Sequence, residues 1–176
     1  MNSQSLRYLK IMGITVWKQA TDNTLSAEVQ ATCIDSGNLQ DLQQQVAACT
    51  ACALHTSRTQ TVFGVGNSSA DLMIIGEAPD LYEDQQGEPF VGKAGQLLNA
   101  MLQSIRLERK NVYIANILKC QTPNNRNPAP QELKQCSGFL NRQIELIQPK
   151  LILALGRIAA HHLLSTQQSL SELRGS

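Results

Sequence analysis

The apolar and polar positions of this chain alternate between short buried runs and longer one-sided stripes. Leu72-Met73-Ile74-Ile75 is an apolar run closed by Gly76, long enough for a buried strand and too short for a stable helix. Val112 to Leu118 and Leu151 to Leu155 repeat the pattern. Between these runs the spacing changes. Ala94, Leu97, Leu98, Met101, Leu102 and Ile105 fall on one helical face from Lys93 onward. Leu133, Cys136, Phe139, Leu140, Ile144 and Ile147 do the same between about Gln131 and the stop at Pro149. Leu39, Leu42, Val46 and Ala47 suit a helix that runs into Cys49, and Ile158 to Leu164 begins another. The order strand, helix, strand, helix, strand, helix predicts an α/β fold, with a central parallel sheet and helices on both faces.

The other segments are less regular. Residues 1–19 carry a small apolar cluster and are expected to form a leader segment. Residues 20–38 are polar, without period, and are expected to be a linker, with Cys33 as a lone surface thiol. The main domain is expected over 39–176. Gln121 to Pro130 holds three of the six prolines and predicts an irregular loop.

Composition narrows the class. A chain of 176 residues, 42% hydrophobic, can bury a real core. The net charge of +1 gives no strongly basic surface. No run approaches the roughly 18 apolar residues of a membrane span, and no secretory signal opens the chain. The expectation is a cytoplasmic monomer without a membrane partner. In a reducing compartment its five cysteines suit ligands or core positions better than disulfides.

Two features carry candidate chemistry. The loop from Gly76 to Gly92 joins a strand to a helix, the place where open α/β sheets bind ligands. It holds acids, an aromatic and free backbone N–H groups, and it lacks both glycine-rich nucleotide signatures. The second feature is Cys49-Thr50-Ala51-Cys52 with Cys120 and Cys136 far downstream. Four dispersed thiolates suit a [4Fe–4S] cluster; zinc, which favours two paired knuckles, and unligated cysteines remain open on spacing alone.

Taken together these pieces resemble family 4 uracil-DNA glycosylase, the iron–sulfur type. The matching motifs are Cys49 to Cys52, Val62-Phe63-Gly64-Val65-Gly66-Asn67, Gly76-Glu77-Ala78-Pro79, Glu83-Asp84, Pro89 to Leu98, Asn116 to Cys120, Asn125-Arg126-Asn127-Pro128, Cys136, Pro149-Lys150 and Leu155-Gly156. The resemblance implies a uracil-DNA glycosylase-like three-layer sandwich that hydrolyses the N-glycosidic bond of deoxyuridine in DNA, leaving an abasic site. It implies a [4Fe–4S] cluster on Cys49, Cys52, Cys120 and Cys136. Uracil would meet Gly76, Glu77, Ala78, Pro79, Phe90 and Asn116. The amide of Asn116 would read the base edge and Phe90 would stack on its face. Glu77 and Asp84 are the candidates for orienting water. Lys93, Lys119 and Arg126 are expected to meet DNA phosphates, with Arg157 a further candidate. On the residues alone, Asn116 could simply pair a neighbouring loop, and a phenylalanine such as Phe90 is more often core than platform. Two departures stand out. The family has Gly where this chain has Asp80. Family members also continue into a further strand and a His-Pro motif that does not occur here, and His161 and His162 do not replace it. The chain therefore resembles a C-terminally incomplete member. The alternative is a nucleic-acid-binding iron–sulfur domain with impaired catalysis.

Overall fold

A computed structural model of the chain describes residues 37–173. The expected leader, Cys33 and all but the last two residues of the expected linker lie outside the described residues. The described elements are α1 (Leu39–Ala47), β1 (Val65–Gly66), β2 (Leu72–Gly76), α2 (Leu81–Gln86), α3 (Lys93–Ser104), β3 (Tyr113–Asn116), α4 (Pro130–Ile147), β4 (Leu151–Ala154), α5 (Arg157–Leu164) and α6 (Leu170–Leu173). The sheet order is β1-β3-β2-β4. β2 pairs in parallel with both β3 and β4, as the alternating pattern predicts. β1 pairs antiparallel with β3, so the sheet is not wholly parallel. Two residues are too short a run to show any period, which is why this edge strand read as a turn.

Side chains of β2 leave the sheet on alternate sides, and each side has its own core. Met73 and Ile75 join Tyr113, Ala115, Leu140, Ile147 and Ala159 under α4 and α5. Ile74 joins Ile114, Val112, Leu98 and Leu102 under α3. A third cluster holds Leu42, Val46, Leu54, Phe63, Leu118 and Phe139 together with Cys120 and Cys136. This three-layer arrangement is the expected α/β sandwich.

Helix α3 departs from its expected face. Leu98 and Leu102 are buried, whereas Leu97 (63% exposed), Met101 (52%) and Ile105 (61%) face outward. Only the arc centred on Leu98 and Leu102 meets the sheet, so the apolar stripe is wider than the contact. The loop after β2 also holds an element that its polar composition hid. Asp80 caps α2 through the backbone N–H of Glu83 (2.9 Å), while the Glu83 carboxylate reaches back to the Asp80 N–H (3.4 Å). Asp80 has φ −87°, so no left-handed backbone is needed where the family has glycine. The departure from the family pattern instead supplies a helix cap.

Candidate active site and cysteine centre

The sheet register builds the site. Gly76 pairs with Asn116 at the C-terminal ends of β2 and β3, where the loops of an α/β sheet leave a crevice. The Ile117 and Leu118 N–H groups continue the pairing to the carbonyls of Gly76 and Glu77 at 3.0 Å each. Asn116 is therefore fixed by main-chain pairing to β2 and its extension, and it is 1% exposed. Its neighbour must be glycine: a Cβ on Gly76 would collide with Asn116 Oδ1 and lie 2.6 Å from Phe90 Cζ. Asn116, Phe90 and Gly76 thus meet at one point. The sequence expectation required that convergence.

Glu83 ties this point together, and the sequence reading did not single it out as a site residue. Its Oε1 accepts the Phe90 N–H at 2.8 Å, and its Oε2 accepts from Asn116 Nδ2 at 3.4 Å. An ionised carboxylate only accepts, so it selects the NH₂ end of the amide and fixes which way Asn116 points. Burial raises the Glu83 pKa, the Asp80 charge adds to the rise, and the hydrogen bonds from Phe90, Asp80 and Asn116 oppose it. The capping-box pattern Asp80-x-x-Glu83 was the one sequence signal that could have found it.

Glu77 is half-buried in the first turn of the loop. Burial raises its pKa, and the nearby Arg157 guanidinium pulls the other way. Ala78 packs against the cysteine cluster, and Pro79 is buried. Asp84 is buried too, at 1% exposed, with Oδ2 accepting the Thr59 N–H at 2.8 Å. Its role in the described residues is to anchor the segment between the cysteine turn and β1, rather than to contact Asn116 or Phe90.

The cations divide. Lys93 is exposed at the start of α3. Arg126 is bound bidentately to Glu132, at 2.9 and 2.6 Å. Lys119 corrects the expectation of a phosphate contact. It is 1% exposed, and its Nζ donates to the Asn116 carbonyl (2.7 Å), Gln143 Oε1 (2.6 Å) and the Phe63 carbonyl (3.3 Å). Desolvation pushes its pKa down to about 8, against the pull of the nearby Cys136 and Cys120 sulfurs. Reading Lys119 as surface charge failed because a lysine with three acceptors can be buried.

The four expected cysteines do gather. Cys49, Cys52, Cys120 and Cys136 line one cavity with Arg58, Lys119 and Phe139. Arg58 Nη1 donates to Cys120 Sγ at 3.0 Å, and its Nη2 holds the Cys49 and Ala47 carbonyls at 2.9 and 3.1 Å. The Lys119 backbone N–H points at Cys136 Sγ, 3.3 Å away. Desolvation pushes the Cys136 thiol up to about 12, opposed by Lys119, and raises Cys120, opposed by Arg58. Among the described residues no three His, Cys, Asp or Glu side chains are drawn close enough to hold a metal ion. A tetrahedral zinc–thiolate site would need sulfurs about 3.8 Å apart, as its bonds of about 2.3 Å require.

Comparison with known proteins decides the family. The model of the uracil DNA glycosylase superfamily matches residues 63–174. This chain belongs to that superfamily. It is 50% identical over 123 residues to a type-4 uracil-DNA glycosylase of Archaeoglobus fulgidus, covering 70% of this chain and 62% of that one. Similarity to the type-4 enzyme of Thermotoga maritima is 42% over 139 residues, covering 78% and 72%. That of Sulfurisphaera tokodaii is 42% identical over 143 residues, covering 78% and 65%. The matched stretch thus spans only about three-fifths of the A. fulgidus glycosylase.

The geometry makes one immediate demand. Gly76→Ala forces Asn116 and Phe90 apart, and overpacking of this kind costs about 1–3 kcal/mol. Chemical denaturation should show a lowered midpoint; an unchanged midpoint would mean that the three residues do not share this space.

Proposed function

We propose that this chain excises uracil from DNA, releasing the free base and leaving an abasic site. The observation that carries the reading is the convergence of Gly76, Asn116 and Phe90, with the Asn116 amide oriented by Glu83. The target nucleotide is extruded from the stack before it can be read. The uracil edge offers an N3–H donor and an O4 acceptor. Asn116 Oδ1 accepts the first, and the N–H left over from Glu83 donates to the second. Cytosine reverses both groups and is refused. Phe90 supplies the stacking face, worth about 1–3 kcal/mol. As the glycosidic bond breaks, negative charge grows on the base and reaches O2. The Asp80 N–H is already given to Glu83 and Pro79 has none, so the Glu77 and Ala78 N–H groups are the donors assigned to O2.

Glu77 orients the attacking water at the sugar carbon. Asp84 is the weaker candidate in this reading: among the described residues its Oδ2 accepts the Thr59 N–H, its Oδ1 is buried without a partner, and no hydrogen bond joins it to Asn116 or Phe90. Lys93 and Arg157 remain the phosphate contacts best placed at loop ends; Arg126 is largely committed to Glu132. A [4Fe–4S] cluster on the four sulfurs is supported by their lining of one cavity and by the N–H donors that two of them receive. When bound, such a cluster fastens the cysteine turn, the exit of β3 and α4 together, a structural service. Cluster assembly on thiolates suits a reducing compartment, which supports a cytoplasmic protein.

A single-stranded oligonucleotide with one deoxyuridine tests the reading. The chain should release uracil and leave an alkali-labile site. Asn116→Asp should slow release by at least about 100-fold, since a carboxylate cannot donate to O4. Binding without base release would support the impaired-domain alternative.

The protonation of Glu77 sets the acid side of the pH profile. Burial raises its pKa, so kcat/KM should fall with decreasing pH at a midpoint above the ordinary 4.5. Arg157 lowers that pKa, so Arg157→Ala should move the midpoint upward. A midpoint unmoved in Arg157→Ala and still present in Glu77→Gln would assign the titration elsewhere.

The cluster has its own readout. Purified protein should carry iron and acid-labile sulfide in equal amounts, about four of each. Cys120→Ser should lose both and lower the melting temperature. Unaltered iron content would exclude Cys120 as a ligand.

A further inference from the structure

Phe90 sits in a conformation that its side chain does not favour. Its φ is +55°, a left-handed value rare for a bulky residue, so something outside its own sequence must hold it there. Its neighbours supply that hold. Glu83 takes the Phe90 N–H at 2.8 Å. Arg109 takes the other side: Nη1 donates to the Phe90 carbonyl at 3.1 Å, and Nη2 to the Pro89 carbonyl at 2.7 Å. A third bond, from Nη1 to Asn99 Oδ1 at 3.3 Å, steadies the guanidinium against α3. All three acceptors are uncharged oxygens. Gly95 completes the seat, because a Cβ there would strike the Phe90 carbonyl. Arg109 itself lies in the 3-10 turn Arg109–Asn111, just before β3, the strand that delivers Asn116.

We propose that Arg109 is a positioning residue for uracil excision. Its planar fork spans two successive carbonyls, keeps the Pro89–Phe90 backbone in its left-handed turn, and so keeps the Phe90 ring beside Gly76 and Asn116. The inference rests on the uracil-excision reading and deepens it. An arginine suits this task because one rigid guanidinium reaches both carbonyls; a lysine ammonium is a single point on a flexible stem. With Arg109 removed, Glu83 alone holds Phe90, and the peptide relaxes toward negative φ. The ring then leaves the place where a flipped base would stack. The effect belongs in turnover, since DNA phosphates are met elsewhere.

The test is a double-mutant cycle in the full chain with the single-stranded deoxyuridine oligonucleotide. Arg109→Ala should lower kcat by about 100-fold, the size expected for a misplaced binding group, with little change in KM. Arg109→Lys should recover only part of that loss and serves as the variant of choice if the alanine form is poorly folded. In a Phe90→Ala background, Arg109→Ala should have no further effect, because the ring it positions is gone. Losses that multiply in the double variant would overturn the proposal and make Arg109 a general structural support. Wild-type kcat in Arg109→Ala would overturn it as well. An active wild type in either case leaves the uracil-excision reading standing; a wild type that releases no uracil removes both.

Discussion

A buried carboxylate between two unrelated segments is the constraint on which this site depends. Glu83 belongs to α2, yet its oxygens bind the amide of Asn116 at the end of β3 and the main chain of Phe90 in the following loop. Hydrogen bonds to a carboxylate are stronger than neutral ones; here the Phe90 N–H is held closely at 2.8 Å and the Asn116 amide more loosely at 3.4 Å, so one side chain orients two others. Burial opposes the charge, and three N–H donors offset that cost. The sheet supplies the rest. Parallel pairing places Gly76 opposite Asn116, and the absent side chain at Gly76 leaves the space in which ring and amide meet.

The cysteine centre and the Asn116 site share one short stretch of chain. From Asn116 to Cys120 the backbone passes from the amide proposed to read the base to a candidate ligand sulfur. Lys119, between them, sends its ammonium back to the Asn116 carbonyl and its N–H toward Cys136. Gln143 on α4 receives that ammonium, while its own amide binds the Phe63 carbonyl and the Tyr113 hydroxyl. The buried network therefore connects β3, α4 and the strand entry at Phe63. Its members satisfy one another, which is the condition for keeping polar groups in a core. On this account the sulfurs fasten the scaffold, and the amide, ring and acid above it perform the recognition.

Much of this was legible in the sequence. Strong periods gave β2, β3, β4 and the helices that cover them, because burial on one side imposes a period. The four cysteines and the Gly76, Asn116 and Phe90 set followed from motif resemblance, and the folded chain brings each set together. Other features left no period to read. β1 is two residues long and α2 is polar, so both were hidden. Arg109 acts on main-chain groups distant in sequence, and no local pattern announces such contacts; for Glu83 the Asp80 capping box was the one local signal, and it says nothing of Asn116 or Phe90. Lys119 misled for the opposite reason: its charge suggested the surface, while its three acceptors lie 3, 24 and 56 residues away. The α3 stripe shows that apolar spacing marks a helix more firmly than it marks which residues are covered.

The most direct test of the central claim is where free uracil sits on the protein. Amide-resolved NMR titration, or a crystal soaked with the base, would locate it. The account predicts a ring stacked on Phe90 with its N3–O4 edge on the Asn116 side-chain amide, and shifts centred on Gly76, Glu77, Phe90 and Asn116. Uracil bound at another surface, or an Asn116 amide whose signals do not respond at saturation, would contradict it.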